Sequence, residues 1–198
     1  MALNTPSTPL SPLEYPLWQA PIRLPITHFW DGEPCSNPGL HGEVRILPVK
    51  EGLEVVASLP HQPVPALPDA PAGARVHGLW QFDVVELFLA GAEGYTELEL
   101  GPGGHFLLFR FSAPRVLSDA CETLQLPLYL TPLAADGRSW SVRTIVPWSL
   151  LPTPLERLNA YAIAGGQYLC FSPLPGEKPD FHQPHRFPLL SSVLTGGE

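Results

Sequence analysis

The chain has 198 residues, which is long enough for one domain with a substantial core and short for two. Its formal net charge is −8 and its 11 Lys and Arg residues are scattered, so the basic stripe that nucleic-acid binding needs is missing from the sequence. The 26 prolines and 17 glycines follow no period, which excludes collagen and favours short strands joined by turns.

Residues 1–20 are rich in proline, serine and threonine, and they predict a loose arm or an edge strand ahead of a single domain over residues 21–198. The arm has neither the basic start nor the apolar stretch of a signal peptide. The longest uncharged run, Leu158–Gly176, contains two prolines and several polar residues, so no membrane span is predicted. The default expectation is a cytoplasmic protein, with secretion left open.

Three segments alternate apolar and polar residues with the period of two that is typical of a strand with one core face: Leu53–Leu59, Leu124–Leu130 and Trp140–Val146. The other predicted strands are Val44–Val49, Val84–Ala90, Tyr95–Leu100, His105–Phe111, Asn159–Ala164, Tyr168–Ser172 and Arg186–Leu190. Residues 61–73 predict a proline-rich loop, and single helical turns are predicted near Trp148–Leu151 and Pro154–Leu158. About ten strands with short turns predict an all-β, antiparallel two-sheet β-sandwich of jelly-roll type with little helix.

The segment Gly101–Gly104 separates two of these strands and fits a type II turn. If its two end glycines close the turn, one face of the hairpin is apolar and the other carries Tyr95, Glu97, Glu99, Phe106, Leu108 and Arg110. If the strand Val84–Ala90 is a neighbour of this hairpin, strand parity adds Glu86 to that second face. Charges in a sheet cost free energy unless they face water, pair or meet a ligand. The face is therefore either a solvated surface with weak ion pairs or a sugar-binding surface, with Glu97 and Glu99 at its rim or in solvent.

Four motifs occur in order along the chain: LWQFDVVELF, in which Trp80 precedes Glu86 by six residues, then YTELELGPGGHF, VRTIVPWSLL and YLCFSPLPGEKPDFHQPHRFPLL. Their order resembles that of the family 9 carbohydrate-binding modules and their DOMON-like relatives. The resemblance implies a non-catalytic β-sandwich in which two aromatic rings enclose a terminal mono- or disaccharide unit. By motif position it implies that Trp80 is the first ring, Glu86 the carboxylate and Arg110 the guanidinium, with Tyr168 or Phe171 as the second ring.

Metal and haem sites are not expected. Asp180, His182 and His185 have a spacing found among metal ligands, but Pro184 makes the segment extended, and the resemblance implies that His182 belongs to a closing segment packed over the sandwich. No clustered Asp/Asn loop marks the calcium site of some family members. The three cysteines lack a zinc spacing, and the only methionine is Met1, so no cofactor is predicted.

Catalysis is not predicted either, because no nucleophile motif is present and Glu97 and Glu99, two residues apart on one strand, cannot flank a scissile bond from opposite sides. The alternative to carbohydrate binding is a β-sandwich that binds a protein partner through its concave face. A broad apolar patch would favour that alternative.

Overall fold

The computed structural model describes residues 18–60, 66–132, 139–174 and 176–195. Its strands are β1 (Ile22–Ile26), β2 (His28–Phe29), β3 (Gly42–Val49), β4 (Gly52–Pro60), β5 (Val84–Gly91), β6 (Gly94–Leu100), β7 (Phe106–Ala113), β8 (Val116–Asp119), β9 (Tyr129–Pro132), β10 (Ser139–Pro147), β11 (Arg157–Ala164) and β12 (Gln167–Cys170). One α-helix, α1 (Leu190–Thr195), follows them in the described ranges. Most of the predicted N-terminal arm, residues 1–17, and part of the predicted loop, residues 61–65, lie outside the described residues.

The strands form two antiparallel sheets, which confirms the predicted β-sandwich. The five-stranded sheet has the order β1-β3-β4-β10-β9, and the seven-stranded sheet has the order β2-β12-β11-β5-β6-β7-β8. Alternation explains the packing between them: on β4 every second side chain from Leu53 to Leu59 is buried in the core, while Glu54, Val56 and Ser58 are half-buried. Burying one such side chain contributes roughly 1.5–3 kcal/mol.

The seven-stranded sheet is also covered on its other face, which we call the outer face. Strand β5 is therefore buried on both sides from Val84 to Ala90, whereas an antiparallel sheet commonly leaves one face in water. A second apolar cluster on the outer face includes Phe88, Tyr161 and Phe187. Part of the cover is residues 176–189, which we call the closing segment. It is tied to β11, because Arg157 Nη1 donates a hydrogen bond of 2.8 Å to the Phe187 carbonyl oxygen.

Three local predictions were wrong. The strand predicted at Leu124–Leu130 begins only at Tyr129, and Pro127, which has no N–H to donate to a strand partner, lies in the irregular part. The strand predicted at Arg186–Leu190 is a 3-10 turn followed by α1, with Pro188 between them. The helical turn predicted at Pro154–Leu158 is absent from this described stretch, because Glu156 N–H donates to the Ala90 carbonyl oxygen and begins the pairing of β11 with β5. The predicted turn near Trp148–Leu151 is present as a 3-10 helix at Trp148–Leu150.

The register of the hairpin β6–β7 differs from the prediction by one residue. Gly101 N–H donates to the His105 carbonyl oxygen at 2.9 Å, so the loop includes His105, and Leu100 pairs with Phe106. The imidazole of His105 is hydrogen-bonded to the Ala70 carbonyl oxygen at 2.9 Å, which holds this residue in the loop. A shift of one residue turns every side chain of β7 to the opposite face. Arg110 therefore leaves the outer face.

Candidate functional site

A cavity of about 480 Å³ opens on the outer face of the seven-stranded sheet, a size common for small-molecule sites. Its floor consists of side chains from β5, β6, β7 and β11, which are adjacent in the sheet. Its walls come from the 3-10 helix Leu79–Gln81, the turn after β7, the start of β12 and the closing segment. Chain segments about a hundred residues apart in sequence therefore meet at one site.

The first aromatic group of the cavity consists of His77, Trp80 and Phe109. The ring centroid of Trp80 lies 5.5 Å from that of His77 and 6.3 Å from that of Phe109. Gly78, in the left-handed region at φ 81°, lets the chain turn into the short helix that carries Trp80. Trp80 is 39% exposed, so its ring is available to a ligand.

The second aromatic group consists of Tyr161, Tyr168 and Phe181. Phe181 of the closing segment stacks on Tyr161 at 3.9 Å between ring centroids and meets the edge of Tyr168 at 6.2 Å. Tyr168 is 40% exposed. Tyr161 is on β11 and Phe109 of the first group is on β7, so the sheet order places β5 and β6 between the two groups.

Tyr95, Arg115, Asp180 and His182 form a hydrogen-bonded chain at the cavity. The Arg115 backbone N–H donates to the Tyr95 hydroxyl oxygen at 3.1 Å, and that hydroxyl is 2.7 Å from His182 Nδ1. Arg115 Nη2 donates to Asp180 Oδ1 at 2.7 Å. Burial lowers the pKa of His182 to about 4, with a further contribution from the Arg115 charge, and burial raises the pKa of Tyr95 to about 12. At neutral pH the imidazole is therefore uncharged, and the Tyr95 hydroxyl can donate to it.

Three carboxylates lie between the aromatic groups: Glu86 on β5, and Glu97 and Glu99 on β6. Glu86 and Glu99 are direct cross-strand partners, and Glu97 is diagonal to Glu86. Burial raises the pKa of all three carboxyls, to about 7 for Glu97. The charge of Glu97 raises the pKa of Glu86 further, and the charges of Glu86 and Glu97 do the same for Glu99.

The structure brings three of the five predicted site residues together, because Trp80, Glu86 and Tyr168 line the cavity. Arg110 does not, since it pairs with Thr96 and lies on the opposite face of the sheet. Phe171 does not line it either and packs against the core between the sheets.

Glu97 and Glu99 were expected at the rim or in solvent, and this was wrong: their exposed fractions are 6% and 0%. Burial follows from the closed outer face, where a covering layer excludes water from the sheet. Sequence reasoning also missed Arg115 as a cavity residue. It follows β7 at φ 60° and is placed by contacts with Tyr95 and Asp180, which no local pattern indicates.

The spacing of Asp180, His182 and His185 does not produce a joint site. Asp180 pairs with Arg115, and His182 lines the cavity, whereas His185 is exposed and lies outside it. The three cysteines are free and buried. Along the described ranges, no helix has the length and apolar character needed to span a bilayer.

Sequence comparison relates the chain to proteins of similar length. It is 30% identical over 186 residues to the mouse UPF0462 protein C4orf33 homolog, covering 87% of this chain and 93% of the relative. The zebrafish homolog is also 30% identical, with 80% and 83% covered, and the human UPF0462 protein C4orf33 is 30% identical, with 79% and 81% covered. The chain belongs to the UPF0462 family. The names of these relatives state neither a ligand nor an activity, so the UPF0462 assignment leaves the function to be inferred from the site.

No family model matches the UPF0462 chain, so its resemblance to the family 9 modules and DOMON-like domains stays a prediction. Among solved structures, a "putative carbohydrate-binding protein" from Bacteroides uniformis superposes with a TM-score of 0.62 at 17% identity, covering 83% of each chain. At this identity the likeness establishes a shared fold.

Proposed function

We propose that this UPF0462 protein is a non-catalytic module that binds carbohydrate, as terminal mono- or disaccharide units, in the cavity of the outer face. The observation that carries the proposal is that two partly exposed rings, Trp80 and Tyr168, line the same cavity as the carboxylate of Glu86. Aromatic rings offer apolar faces to the C–H groups of a sugar, and carboxylates accept hydrogen bonds from its hydroxyls. The fold likeness to a protein described as carbohydrate-binding supports this ligand class.

The polar groups of the cavity divide into acceptors and a donor. Glu86 and Glu97 offer carboxylate oxygens, and Arg115 offers the guanidinium N–H groups that it does not use toward Asp180. Arg115 takes the role that the motif position had implied for Arg110. Charge-assisted hydrogen bonds contribute roughly 1.5–3 kcal/mol each, but the sugar hydroxyls must first lose water. The expected affinity for a small sugar is therefore modest, with dissociation constants near the millimolar range.

The carboxylates are poorly arranged for glycoside hydrolysis. Glu86, Glu97 and Glu99 each offer an oxygen within 4.8 Å of the others on one face of the sheet, and Glu86 and Glu97 are the two that line the cavity. A glycosidase places its two carboxyl groups on opposite sides of the bond it cleaves, about 5–9.5 Å apart. A sugar resting on this floor would meet all of its carboxylates on one side, which favours binding over cleavage.

The direct test is calorimetric titration with xylose-, glucose- and galactose-based sugars. We expect at least one sugar to release heat with the wild type. A ring that covers about 80 Å² of apolar sugar surface contributes roughly 2 kcal/mol, so Trp80→Ala and Tyr168→Ala should each weaken binding by roughly thirtyfold. Tyr129→Ala is the matched control, because Tyr129 is 52% exposed on β9 of the other sheet.

Two results would contradict the proposal: no sugar bound at millimolar concentration, or an equal loss of binding in Tyr129→Ala. The protein-binding alternative would then be preferred. Its surface would include Val116 and Leu117 of the exposed edge strand β8, which are 53% and 50% exposed. Leu117 also lines the cavity, so a partner at this edge would reach the same mouth.

A further inference from the structure

The carboxyl groups of Glu86, Glu97 and Glu99 form a compact acidic cluster inside the protein. Each of the three offers an oxygen within 4.8 Å of the others, and their exposed fractions are 3%, 6% and 0%. Like charges directly opposite each other on neighbouring strands are destabilising even in a solvated sheet. Burial makes the arrangement more costly, because a buried carboxylate without a partner loses its hydration and gains nothing in return.

The side chain of Glu99 gives an independent indication of a missing partner. Both of its carboxylate oxygens are buried, and among the described residues no donor reaches either oxygen with full hydrogen-bond geometry, the nearest being the Trp80 backbone N–H. The Trp80 backbone N–H is close enough to lower the pKa of this carboxyl, but burial and the two neighbouring glutamates act against it. Buried polar atoms normally have partners, so an orphaned carboxylate at the centre of an acidic cluster indicates a bound cation.

No protein side chain supplies that positive charge in the described part of the chain. None of the ion pairs there involves Glu86, Glu97 or Glu99. The Arg115 guanidinium lowers the pKa of Glu97 only in part, and its hydrogen bond goes to Asp180. A cation from solution could enter through the cavity, since Glu86 and Glu97 line it.

We propose that Glu86, Glu97 and Glu99 bind one calcium ion at the floor of the cavity. Any two of these oxygens can lie about 2.4 Å, the Ca–O bond length, from one ion, and small side-chain rotations would bring the third oxygen to the same distance. The ligand set consists of oxygens alone, and hard cations such as calcium prefer it, whereas zinc favours nitrogen and sulfur. Water in the cavity would complete the coordination. The site does not depend on the identity of the cavity's organic ligand.

The experiment uses the full chain, cleared of metal with EGTA and titrated with calcium chloride alone. We expect one ion per chain, with a dissociation constant between about 10⁻⁶ and 10⁻³ M. At a calcium concentration about 100 times that constant, the melting temperature of the wild type should rise by roughly 5–10 °C. Magnesium should bind more weakly, since it demands a stricter octahedral geometry.

Glu99→Gln is the decisive variant, because it removes one charged ligand and keeps the shape of the side chain. Calcium affinity should fall at least tenfold. In EGTA the variant should melt no lower than the wild type, because the glutamine amide can donate to Glu86 and relieves the repulsion. In calcium the wild type should melt at the higher temperature. Glu54→Gln is the control, because Glu54 pairs with Arg143 on the other sheet, and it should bind calcium as the wild type does.

The proposal would be overturned if calcium, magnesium and manganese produced neither heat nor a melting shift at about 10 mM, roughly tenfold above the dissociation constants of the weakest protein calcium sites. It would be equally overturned if Glu99→Gln bound calcium with unchanged affinity. A wild type that stays less stable than Glu99→Gln in calcium as well as in EGTA would also overturn it, because calcium would then not offset the repulsion among the carboxylates. Each of these outcomes can be interpreted whether or not the protein binds a sugar, because no sugar is present in the calcium titration.

Discussion

Replacing His182 with glutamine should change how the stability of the protein depends on pH. Burial, followed by the Arg115 charge, lowers the pKa of His182 to about 4, and Asp180 offsets part of the effect. The neutral ring can accept a hydrogen bond at Nδ1 from the Tyr95 hydroxyl, 2.7 Å away. Glutamine can also accept from Tyr95 but does not titrate. The substitution therefore removes the proton-binding group and keeps an acceptor in its place.

The direction and size of the expected change in stability follow from the linkage between proton binding and folding. The unfolded histidine titrates near 6.5 and the folded one near 4, so the unfolded state binds the extra proton between these values and stability falls as pH falls through this window. A difference of about 2.5 pKa units corresponds to at most about 3.4 kcal/mol. His182 is partly solvated, which reduces the expected loss to about 1–2 kcal/mol.

Urea unfolding at pH values on both sides of this window measures the effect. The wild type should lose about 1–2 kcal/mol more than His182→Gln between neutral and acid conditions. Titration of the buried glutamates is common to both proteins and cancels in the difference. The exposed His185 offers the control, and His185→Gln should follow the wild-type profile. Parallel profiles for the wild type and His182→Gln would refute the reasoning, as would an imidazole NMR signal from His182 that titrates near pH 6.5.

Four further substitutions test the register and the packing. Arg115→Gln should weaken sugar binding by about tenfold, the equivalent of one lost hydrogen bond of about 1.4 kcal/mol. Arg110→Gln should leave sugar binding unchanged. A larger loss of affinity in Arg110→Gln than in Arg115→Gln, measured by calorimetry, would contradict the observed register. Gly94→Ala should lower the free energy of unfolding by about 3 kcal/mol or more, because Gly94 has φ 131° and a Cβ there would collide with the Phe111 carbonyl oxygen; a loss under about 1 kcal/mol in urea would speak against that backbone. Phe88→Ala, at a fully buried ring, should cost about 3–5 kcal/mol by the same assay, and a near-neutral result would be inconsistent with a second core.

The fold could be predicted from the sequence where a strand has one buried face. Segments such as Trp140–Val146 alternate cleanly, and they became strands of the sandwich. The register of the β6–β7 hairpin could not be predicted, because the loop includes His105, whose imidazole is hydrogen-bonded to the carbonyl oxygen of Ala70, far away in the chain. The backbone hydrogen bonds between Phe106 and the Ala74–Val76 segment also join residues distant in sequence, and together these contacts accompany the register that places Arg110 and Phe109 on their faces.

The candidate site could be predicted to the extent that its residues act locally. Trp80 and Glu86 are separated by a short turn and a strand start, so their common location follows from nearby sequence. The placement of Phe181 depends on how the closing segment packs across the sheet, and no short motif determines that packing. The burial of Glu99 was missed because carboxylates are rarely buried without a partner.

The cover of the outer face has a consequence for synthesis of the protein. The closing segment is made about eighty residues after β6, and until it emerges from the ribosome the aromatic face that holds Phe88 and Tyr161 has only part of its cover. A nascent chain at this stage would expose an apolar sheet surface, to which chaperones would bind. Translation that stopped before residue 176 would give an aggregation-prone product rather than a smaller binding protein, because the wall formed by Phe181 and His182 would never be added.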